Sequence, residues 1–437
     1  VSYESAAATV YSWTPTRQSN PFTFELYERI VLLSRLFAAG LLLCGIAVFV
    51  WRGPVARGFA NALRSMIDLT HELRTTSSVA LAESGRSHGI ALGTIVLIGF
   101  VARLIYLNQP VRNDEAYTFI EYVFRPFPVI LSHYNVPNNH IFHSILARLS
   151  MLIFGDDLWA LRLPTIVAGV LTIPAAYAVG RILYSPTTGL FAAAFTAASS
   201  PLIEYSANAR GYSIFILAFL TLIILGTHAL RSRTRAIWAL FGFTLAIGFY
   251  TVPVTIYPAG AVILWLVVTT ALQPSSVEKR AESLNLIYAT AFGAALTLVL
   301  YLPVIAASGL EALVANRFVV PLTWNEWTGE FADSLIRTWA LLTRDIPPAL
   351  IVVLIVGFAL SHIRHRHVSR YRVSIILPIF AWIASLLVVQ RVAPFIRIWL
   401  FLLPILFAVA SAGMIDGVRL LCRKFARIRE STIAPIV

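Results

Sequence analysis

The residues most able to take part in a reaction lie in a few short polar stretches of an otherwise apolar chain. The first stretch is "RNDEAYT" at 112–118, where two carboxylates, Asp114 and Glu115, are adjacent and Arg112 precedes them. A carboxylate can accept the proton of an attacking hydroxyl group. Asp114 and Glu115 are therefore the candidate catalytic residues.

Two later stretches contain arginine together with other polar side chains. Guanidinium groups bind phosphate through paired hydrogen bonds and keep their charge at any physiological pH. Arginines at the ends of membrane helices would lie at the height of a lipid phosphate. The polar residues of these two stretches are, in chain order, Glu204, Asn208, Arg210, Tyr212, Arg391 and Arg397.

Four more polar residues complete the set of candidates. Asn139 and His140 lie in a long polar stretch at 108–159, Arg162 follows it, and Tyr257 lies in a short turn between apolar segments. A charged residue at the centre of a membrane helix costs roughly 2.5–3.5 kcal/mol on insertion scales, so such residues suggest function. A single arginine at a helix end can also act as a snorkelling anchor, and an interfacial tyrosine as a belt residue. The occurrence of carboxylates, amides, a histidine and arginines together favours a site.

The elements that must position these residues are membrane helices. The chain has 437 residues, of which 58% are hydrophobic and 13% charged, against about 25% charged residues in soluble domains. A membrane-spanning helix needs about 20 apolar residues. Eleven segments meet this criterion, at 30–51, 88–107, 160–180, 188–204, 212–230, 236–252, 254–272, 284–305, 347–361, 373–389 and 398–417.

The distribution of charge gives these spans an orientation. One set of alternate loops carries 20 Lys and Arg and six Asp and Glu, whereas the opposite set carries 12 and 14. Since Lys and Arg near helix ends remain cytoplasmic, the candidate residues are predicted on the outer face. The net charge of +13 therefore reflects membrane topology rather than nucleic-acid binding. The sequence contains no P-loop, HExxH or CxxC motif, and its two cysteines exclude a disulfide scaffold.

Three regions follow from this reading. Residues 1–87 are predicted to form an additional span and a cytoplasmic amphipathic segment, residues 88–420 the catalytic core, and residues 421–437 a basic cytoplasmic tail. The core has two long outer loops, at 108–159 and 306–346. Within the first loop, amphipathic helices are predicted at 115–132 and 138–154, lying along the membrane interface, with Asn138, Asn139 and His140 as the N-cap composition of the second.

The order of the motifs resembles that of the GT-C superfamily of integral-membrane glycosyltransferases. Within it, the chain is most similar to the branch of the protein O-mannosyltransferases and lipid A aminoarabinose transferases. The resemblance covers residues 90–410. It rests on "NDEAYT" at 113–118, "PNNHIFHSILARLSMLIFGDD" and the following span at 137–183, "SANARGYSIFILAFL" at 206–220 and "RIWLFLLP" at 397–404.

The resemblance implies an all-α GT-C bundle and a specific reaction. Such enzymes transfer a sugar from a polyprenyl-phosphate donor to a hydroxyl acceptor on the periplasmic or outer face of a prokaryotic inner membrane, with inversion. Asp114 would be the general base, and Glu115 accompanies it. The donor phosphate would be bound by Arg162, Arg210, Arg397, His140 and Arg391. The residues predicted to line the rest of the site are Arg112, Asn139, Glu204, Asn208, Tyr212 and Tyr257.

The chain departs from the family pattern at one position. Many relatives carry an acidic residue where this chain has Asn208, and Glu204, one helical turn earlier, is an alternative second carboxylate. No metal or other cofactor is expected, although a metal held by Asp114 and Glu204 stays open. The expected partners are the lipid-linked donor, a glycan, lipid or protein acceptor, and the bilayer.

The main alternative function is a polytopic transporter or lipid flippase, and a third reading is a non-catalytic membrane scaffold. Transporters place polar residues through the bilayer midplane and often contain repeated halves. In this chain the polarity lies at the outer helix ends, and no convincing repeat is present. A scaffold would not require carboxylates and arginines on one surface. These contrasts favour a glycosyltransferase.

Overall fold

The computed structural model describes residues 2–13, 22–134, 136–232, 234–314 and 320–433. These residues form an all-α protein without β-strands. The predicted fold class, an all-α polytopic membrane protein, is confirmed. The final four residues of the predicted tail at 421–437 lie outside the described residues.

The helices vary from one turn to more than fifty residues. A π-helical turn spans Phe119–Val123, and 3₁₀ turns span Pro253–Thr255 and Ile396–Phe401. The α-helices are α1 (Tyr3–Trp13), α2 (Phe24–Val50), α3 (Arg52–Ile105), α4 (Asn113–Thr118), α5 (Phe127–Ser132), α6 (Ile141–Phe154), α7 (Leu158–Leu183), α8 (Pro186–Ala198), α9 (Ser200–Ser206), α10 (Tyr212–Ala229), α11 (Ala236–Thr251), α12 (Ile256–Ala271), α13 (Ser276–Ser308), α14 (Glu311–Val314), α15 (Trp324–Leu342), α16 (Pro348–Ile363), α17 (His365–Val368), α18 (Ile376–Gln390) and α19 (Leu402–Ile433).

The predicted count of eleven spans is not confirmed. Among the described residues, six helical segments are long and apolar enough to cross a membrane, or seven if a pair bent by 85° between α2 and α3 counts as one span. Four further apolar helices, α6, α11, α16 and α18, have only 14 to 16 residues. At about 1.5 Å per residue they are shorter than the hydrocarbon core of roughly 30 Å. The predicted span at 188–204 is interrupted between α8 and α9, where Ser199 has an extended backbone.

The interior of the protein consists of helices that are apolar on all sides and packed against one another. α10 lies at its centre and packs against α7, α11 and the 3₁₀ turn Ile396–Phe401. Phe215 and Phe219 of α10 both meet Phe401 edge to face. α16 and α19 approach closely at Gly357 and Gly413, because a Cβ on Gly413 would collide with the carbonyl oxygen of Gly357 and glycine has none. Glycine at such a contact lets two membrane helices pack backbone to backbone.

The first outer loop differs from its prediction. Instead of a helix at 115–132, the chain forms α4, the π-helical turn and α5, because Pro126 interrupts the segment and Pro128 lies in the first turn of α5. The second helix, α6, begins at Ile141, and its N-cap residue His140 makes no side-chain capping bond. The predicted domain boundary at residue 87 falls inside α3, two residues after Gly85, whose φ of 77° interrupts the helix.

Elements distant in sequence meet at one end of the bundle. The C-terminal ends of α3 and α9, the N-terminal ends of α4 and α10, and the turn Ile396–Phe401 all converge there. Basic loops meet at the opposite end: Arg231 donates to the hydroxyl of Tyr371 at 3.1 Å, and Arg370 Nε donates to the carbonyl of Tyr184 at 3.0 Å. The structure therefore separates the two sets of loops that differ in charge.

Candidate active site

A polar cavity of about 400 Å³ opens at the end of the bundle where α4, α9, α10 and the turn Ile396–Phe401 meet. Its wall contains three arginines, one carboxylate, two asparagines and two tyrosines. The lining residues are Arg112, Asn113, Asp114, Tyr205, Asn208, Arg210, Tyr212 and Arg397. Six of these eight are residues that the sequence predicted for the site, drawn from segments up to 285 positions apart.

Asp114 is the accessible acid of this cavity. It lies in the first turn of α4, and 45% of its side chain is exposed. Its Oδ2 atom accepts from Nη1 of Arg397 at 2.9 Å and lies 3.3 Å from Nη1 of Arg210. A carboxylate in this position can receive the proton of a hydroxyl group that enters the cavity.

The two guanidinium groups beside Asp114 are held by Tyr212, the first residue of α10. Nε of Arg397 donates to the Tyr212 hydroxyl at 2.6 Å. Both guanidinium carbons lie 5.7 Å from the centroid of the Tyr212 ring. Cation–π contacts and a hydrogen bond therefore fix the orientation of the two cations. Burial raises the pKa of Tyr205, whose ring meets Tyr212 edge to face.

The ring of His140 lies beside Arg210, on the side away from the cavity. The side chain of Arg210 is 2% exposed, and its Nη2 lies 3.2 Å from Nε2 of His140. The backbone N–H of Gly211 donates to Nδ1 of the same ring at 2.7 Å. Burial, and then the positive charge of Arg210, hold the pKa of His140 well below its usual value, so the ring is neutral. A neutral ring that accepts from Gly211 at Nδ1 carries its proton on Nε2 and cannot also accept from Arg210, so His140 packs against Arg210 and does not line the cavity.

Glu115, the neighbour of Asp114, is fully buried and points away from the cavity. Its two oxygens accept from Nε and Nη2 of Arg162, each at 2.7 Å, and Oε1 also accepts from the backbone N–H of Ala209 at 2.9 Å. Arg162 is equally buried and donates to the carbonyl of Gln109 at 2.9 Å. The sequence treated Glu115 as a second catalytic candidate and Arg162 as a phosphate ligand. The geometry instead occupies both groups in a closed ion pair that joins α4, α7 and the turn before α10.

Glu204 has a similar connecting role at the rim. Its carboxylate forms ion pairs with Arg112 on one side and with Arg344 on the other. Arg344 lies just after α15, in the second long outer loop, and the next residue, Asp345, accepts from the Ser200 hydroxyl at 2.6 Å. These contacts attach the loop to α9. The carboxylates of Glu204 and Asp114 are thus paired with different arginines. Within the described part of the chain, no group of three His, Cys, Asp or Glu side chains is placed to hold a metal ion.

Three other predicted residues lie away from the cavity. Asn139 is buried and donates to the carbonyls of Ile130 and His133. Arg391 ends α18 in the left-handed region, with its guanidinium over the Trp324 ring at 5.6 Å. The remaining residue is Tyr257, whose hydroxyl donates to Gln390 at 2.8 Å. The contacts of all three are structural, within and between the surrounding loops and helices.

The sequence missed several residues that build the site. Asn113 and Tyr205 line the cavity, and both stood next to predicted residues. Arg103, within the span of α3, is fully buried and donates from Nε to the hydroxyl of Ser206 at 3.2 Å. A charge inside an apolar span was the available signal for Arg103. Arg344 gave none, because it lies in a long polar loop, where a charged residue is not costly.

Comparisons with known proteins agree with this architecture. The family model described as dolichyl-phosphate-mannose-protein mannosyltransferase matches residues 137–306. No curated protein sequence matches the chain significantly. A solved structure of ArnT from Cupriavidus metallidurans in the apo state has a TM-score of 0.53 and 12% identity, over 78% of this chain and 62% of ArnT.

A second solved structure shares the fold at a similar level. It is the archaeal oligosaccharyltransferase AglB from Archaeoglobus fulgidus, with a TM-score of 0.50 and 15% identity, over 79% of this chain and 52% of AglB. The chain thus spans less than two thirds of the length of either protein. At these identities the likeness concerns the fold. The family match over residues 137–306 and the shared fold agree with the resemblance to the GT-C superfamily that the sequence predicted.

Proposed function

We propose that the protein is an inverting glycosyltransferase that moves a sugar from a polyprenyl-phosphate donor to a hydroxyl group of a glycan, lipid or protein. The observation that carries this proposal is Asp114, the carboxylate in the cavity wall, against the paired guanidiniums of Arg210 and Arg397. The family match supports a lipid-linked donor. AglB, which shares the fold, was solved with a dolichol-phosphate and an inhibitory peptide.

The reaction follows from the charges in the cavity. The acceptor oxygen forms a bond to the anomeric carbon while the bond from that carbon to the phosphate oxygen breaks. Asp114 takes the hydroxyl proton, and the electron pair leaves with the polyprenyl phosphate. Because the leaving group is a weak base, it needs charge neutralisation by Arg210 and Arg397 more than it needs a proton.

A single displacement inverts the anomeric centre. A retaining route would require a second carboxylate as nucleophile. Glu115 is unsuitable because Arg162 and Ala209 occupy its oxygens, and Glu204 is held by Arg112 and Arg344. The arrangement of acids therefore favours inversion.

The proposed location is the outer side of a prokaryotic inner membrane. The cavity lies at the end of the bundle opposite the loops that carry Arg231 and Arg370. Since basic loops remain cytoplasmic, this end would face the periplasm or the cell exterior.

The test is sugar transfer by membranes that contain the protein, supplied with a panel of labelled undecaprenyl-phosphate sugars. Asp114→Asn should lower the transfer rate about 10²- to 10⁴-fold, the usual contribution of a general base. Asp156→Asn, which removes an equal charge from an exposed residue between α6 and α7, should leave the rate unchanged. Full activity in the Asp114→Asn protein would refute the assigned base. Vectorial uptake of label without a glycosylated product would indicate a transporter instead.

A further inference from the structure

The carboxylate of Asp114 contacts Nη1 of both cations at the wall of the cavity. Nη1 of Arg397 and Nη1 of Arg210 both point to the same oxygen, Oδ2, and Arg210 Nη1 lies 3.3 Å from the backbone carbonyl of Asp114 as well. A phosphate that enters the cavity requires hydrogen bonds from these same groups.

Three of the other nitrogens of the two cations face protein, and one of them, Nε of Arg210, is buried without a hydrogen-bond partner. Nε of Arg397 is bound to the Tyr212 hydroxyl, and Nη2 of Arg210 faces His140. Both guanidinium carbons also lie 5.7 Å from the centroid of the Tyr212 ring. A phosphate and the Asp114 carboxylate therefore compete for hydrogen bonds from the same Nη1 groups of Arg210 and Arg397. The two anions also repel each other, and this repulsion is stronger in a partly enclosed cavity than in water.

We propose that Asp114 is an internal competitor of the substrate phosphate for Arg210 and Arg397, so that binding of the lipid phosphate releases this carboxylate from its ion pairs. The inference rests on the proposed function. It adds that the donor frees the base when it binds, and that the carboxylate limits the affinity for the more highly charged polyprenyl-phosphate product.

Competition and direct substrate contact predict opposite effects of removing Asp114 on the affinity for the lipid phosphate. If Asp114 only contributed to donor binding, its removal would weaken that binding. If it competes, Asp114→Asn should bind undecaprenyl phosphate more tightly than the natural protein although it transfers sugar about 10²- to 10⁴-fold more slowly. The expected decrease in Kd is roughly three- to thirtyfold, within the range of coupling between neighbouring charged groups.

The experiment measures binding of undecaprenyl phosphate to the purified full-length protein in detergent, by thermophoresis. Asp156→Asn is the matched control for the loss of one negative charge and should leave the Kd unchanged. Asp114→Ala provides a second variant in case the Asn protein is unstable. Equal or weaker binding by both Asp114 variants would overturn the proposal.

A second arm separates local competition from a general charge effect. In an Arg397→Gln background, the gain from Asp114→Asn should shrink, because one of the contested guanidiniums is gone. An undiminished gain in that background would overturn the proposal. If the natural protein binds the lipid phosphate and transfers sugar, but the Asp114 variants do not bind the lipid more tightly, only this inference is refuted. Absence of both binding and transfer in the natural protein would refute the proposed function as well.

Discussion

Asp114 and Glu115 are adjacent in the chain and have the same charge, yet their surroundings are opposite. Asp114 lines the cavity with 45% of its side chain exposed and holds two arginines through one oxygen. Glu115 has no exposed side-chain surface, and both of its oxygens are bound to Arg162. The carboxylate of Asp114 is accessible to a substrate, whereas that of Glu115 is buried in an ion pair.

The difference shows how a short helix divides two roles between neighbouring residues. Successive side chains on α4 diverge, so that one faces the cavity and the other faces α7 and the backbone of Ala209. Glu115 thereby anchors the turn of α4 that presents Asp114. The acid that supports the site and the acid that acts in it can be separated experimentally.

The largest effect on stability should follow from removal of the buried acid. Glu115→Gln would leave the fully buried Arg162 guanidinium without its counter-charge, and loss of one partner of a buried ion pair costs about 3–5 kcal/mol. The free energy of unfolding in detergent, or the thermal unfolding temperature, measures this loss. Asp114→Asn is the neighbouring control and should be far less destabilising. If Glu115→Gln and Asp114→Asn were equally stable, the distinction between a structural Glu115 and an accessible Asp114 would be wrong.

An intermediate effect is expected on lipid-phosphate affinity when a cavity arginine is lost. Arg397→Gln should raise the Kd for undecaprenyl phosphate roughly tenfold or more, since hydrogen bonds to charged groups contribute about 1.5–3 kcal/mol. Arg391→Gln is the matched control, because Arg391 lies six positions earlier and rests on Trp324 outside the cavity. Binding measured by thermophoresis should change little in that variant. The assignment of Arg397 would fail if both variants bound the lipid equally well.

The smallest effect is expected at the rim. Glu204→Gln would remove the bridge between Arg112 and Arg344, whose side chains are 47% and 36% exposed. Partly exposed ion pairs contribute about 0.2–1 kcal/mol, so unfolding should change by no more than that. Transfer activity in the presence and absence of EDTA provides a second readout. Activity that disappears with EDTA in the natural protein, together with complete loss in Glu204→Gln, would instead support a metal held by Asp114 and Glu204.

Much of the cavity could be predicted from residue type alone. Arg112, Asp114, Asn208, Arg210, Tyr212 and Arg397 stood out because polar groups are rare in an apolar chain, and all six line the cavity. The same criterion also selected Asn139 and Tyr257, whose polar atoms satisfy nearby backbone and side-chain groups. Composition identifies a costly polar residue but does not show which partner offsets its cost.

The helix boundaries show a similar division. The long apolar helices were recognisable, because hydropathy is a sum over consecutive residues. The interruption at Ser199 and the short pieces that replace the predicted helix at 115–132 depend on local backbone geometry and on what packs against each turn. These details place α9 and α4 at the cavity.

The sequence by itself determined that this is a multi-pass membrane protein, how its charges are distributed between loops, and which residue types are available for chemistry. These properties are additive along the chain. Only the tertiary structure decided which acid is accessible, because that depends on groups far apart in sequence. Arg397 and Tyr212, for example, are separated by 185 positions but share a hydrogen bond. A charged residue becomes buried and paired when segments distant in sequence pack together, and a local sequence pattern does not predict that packing.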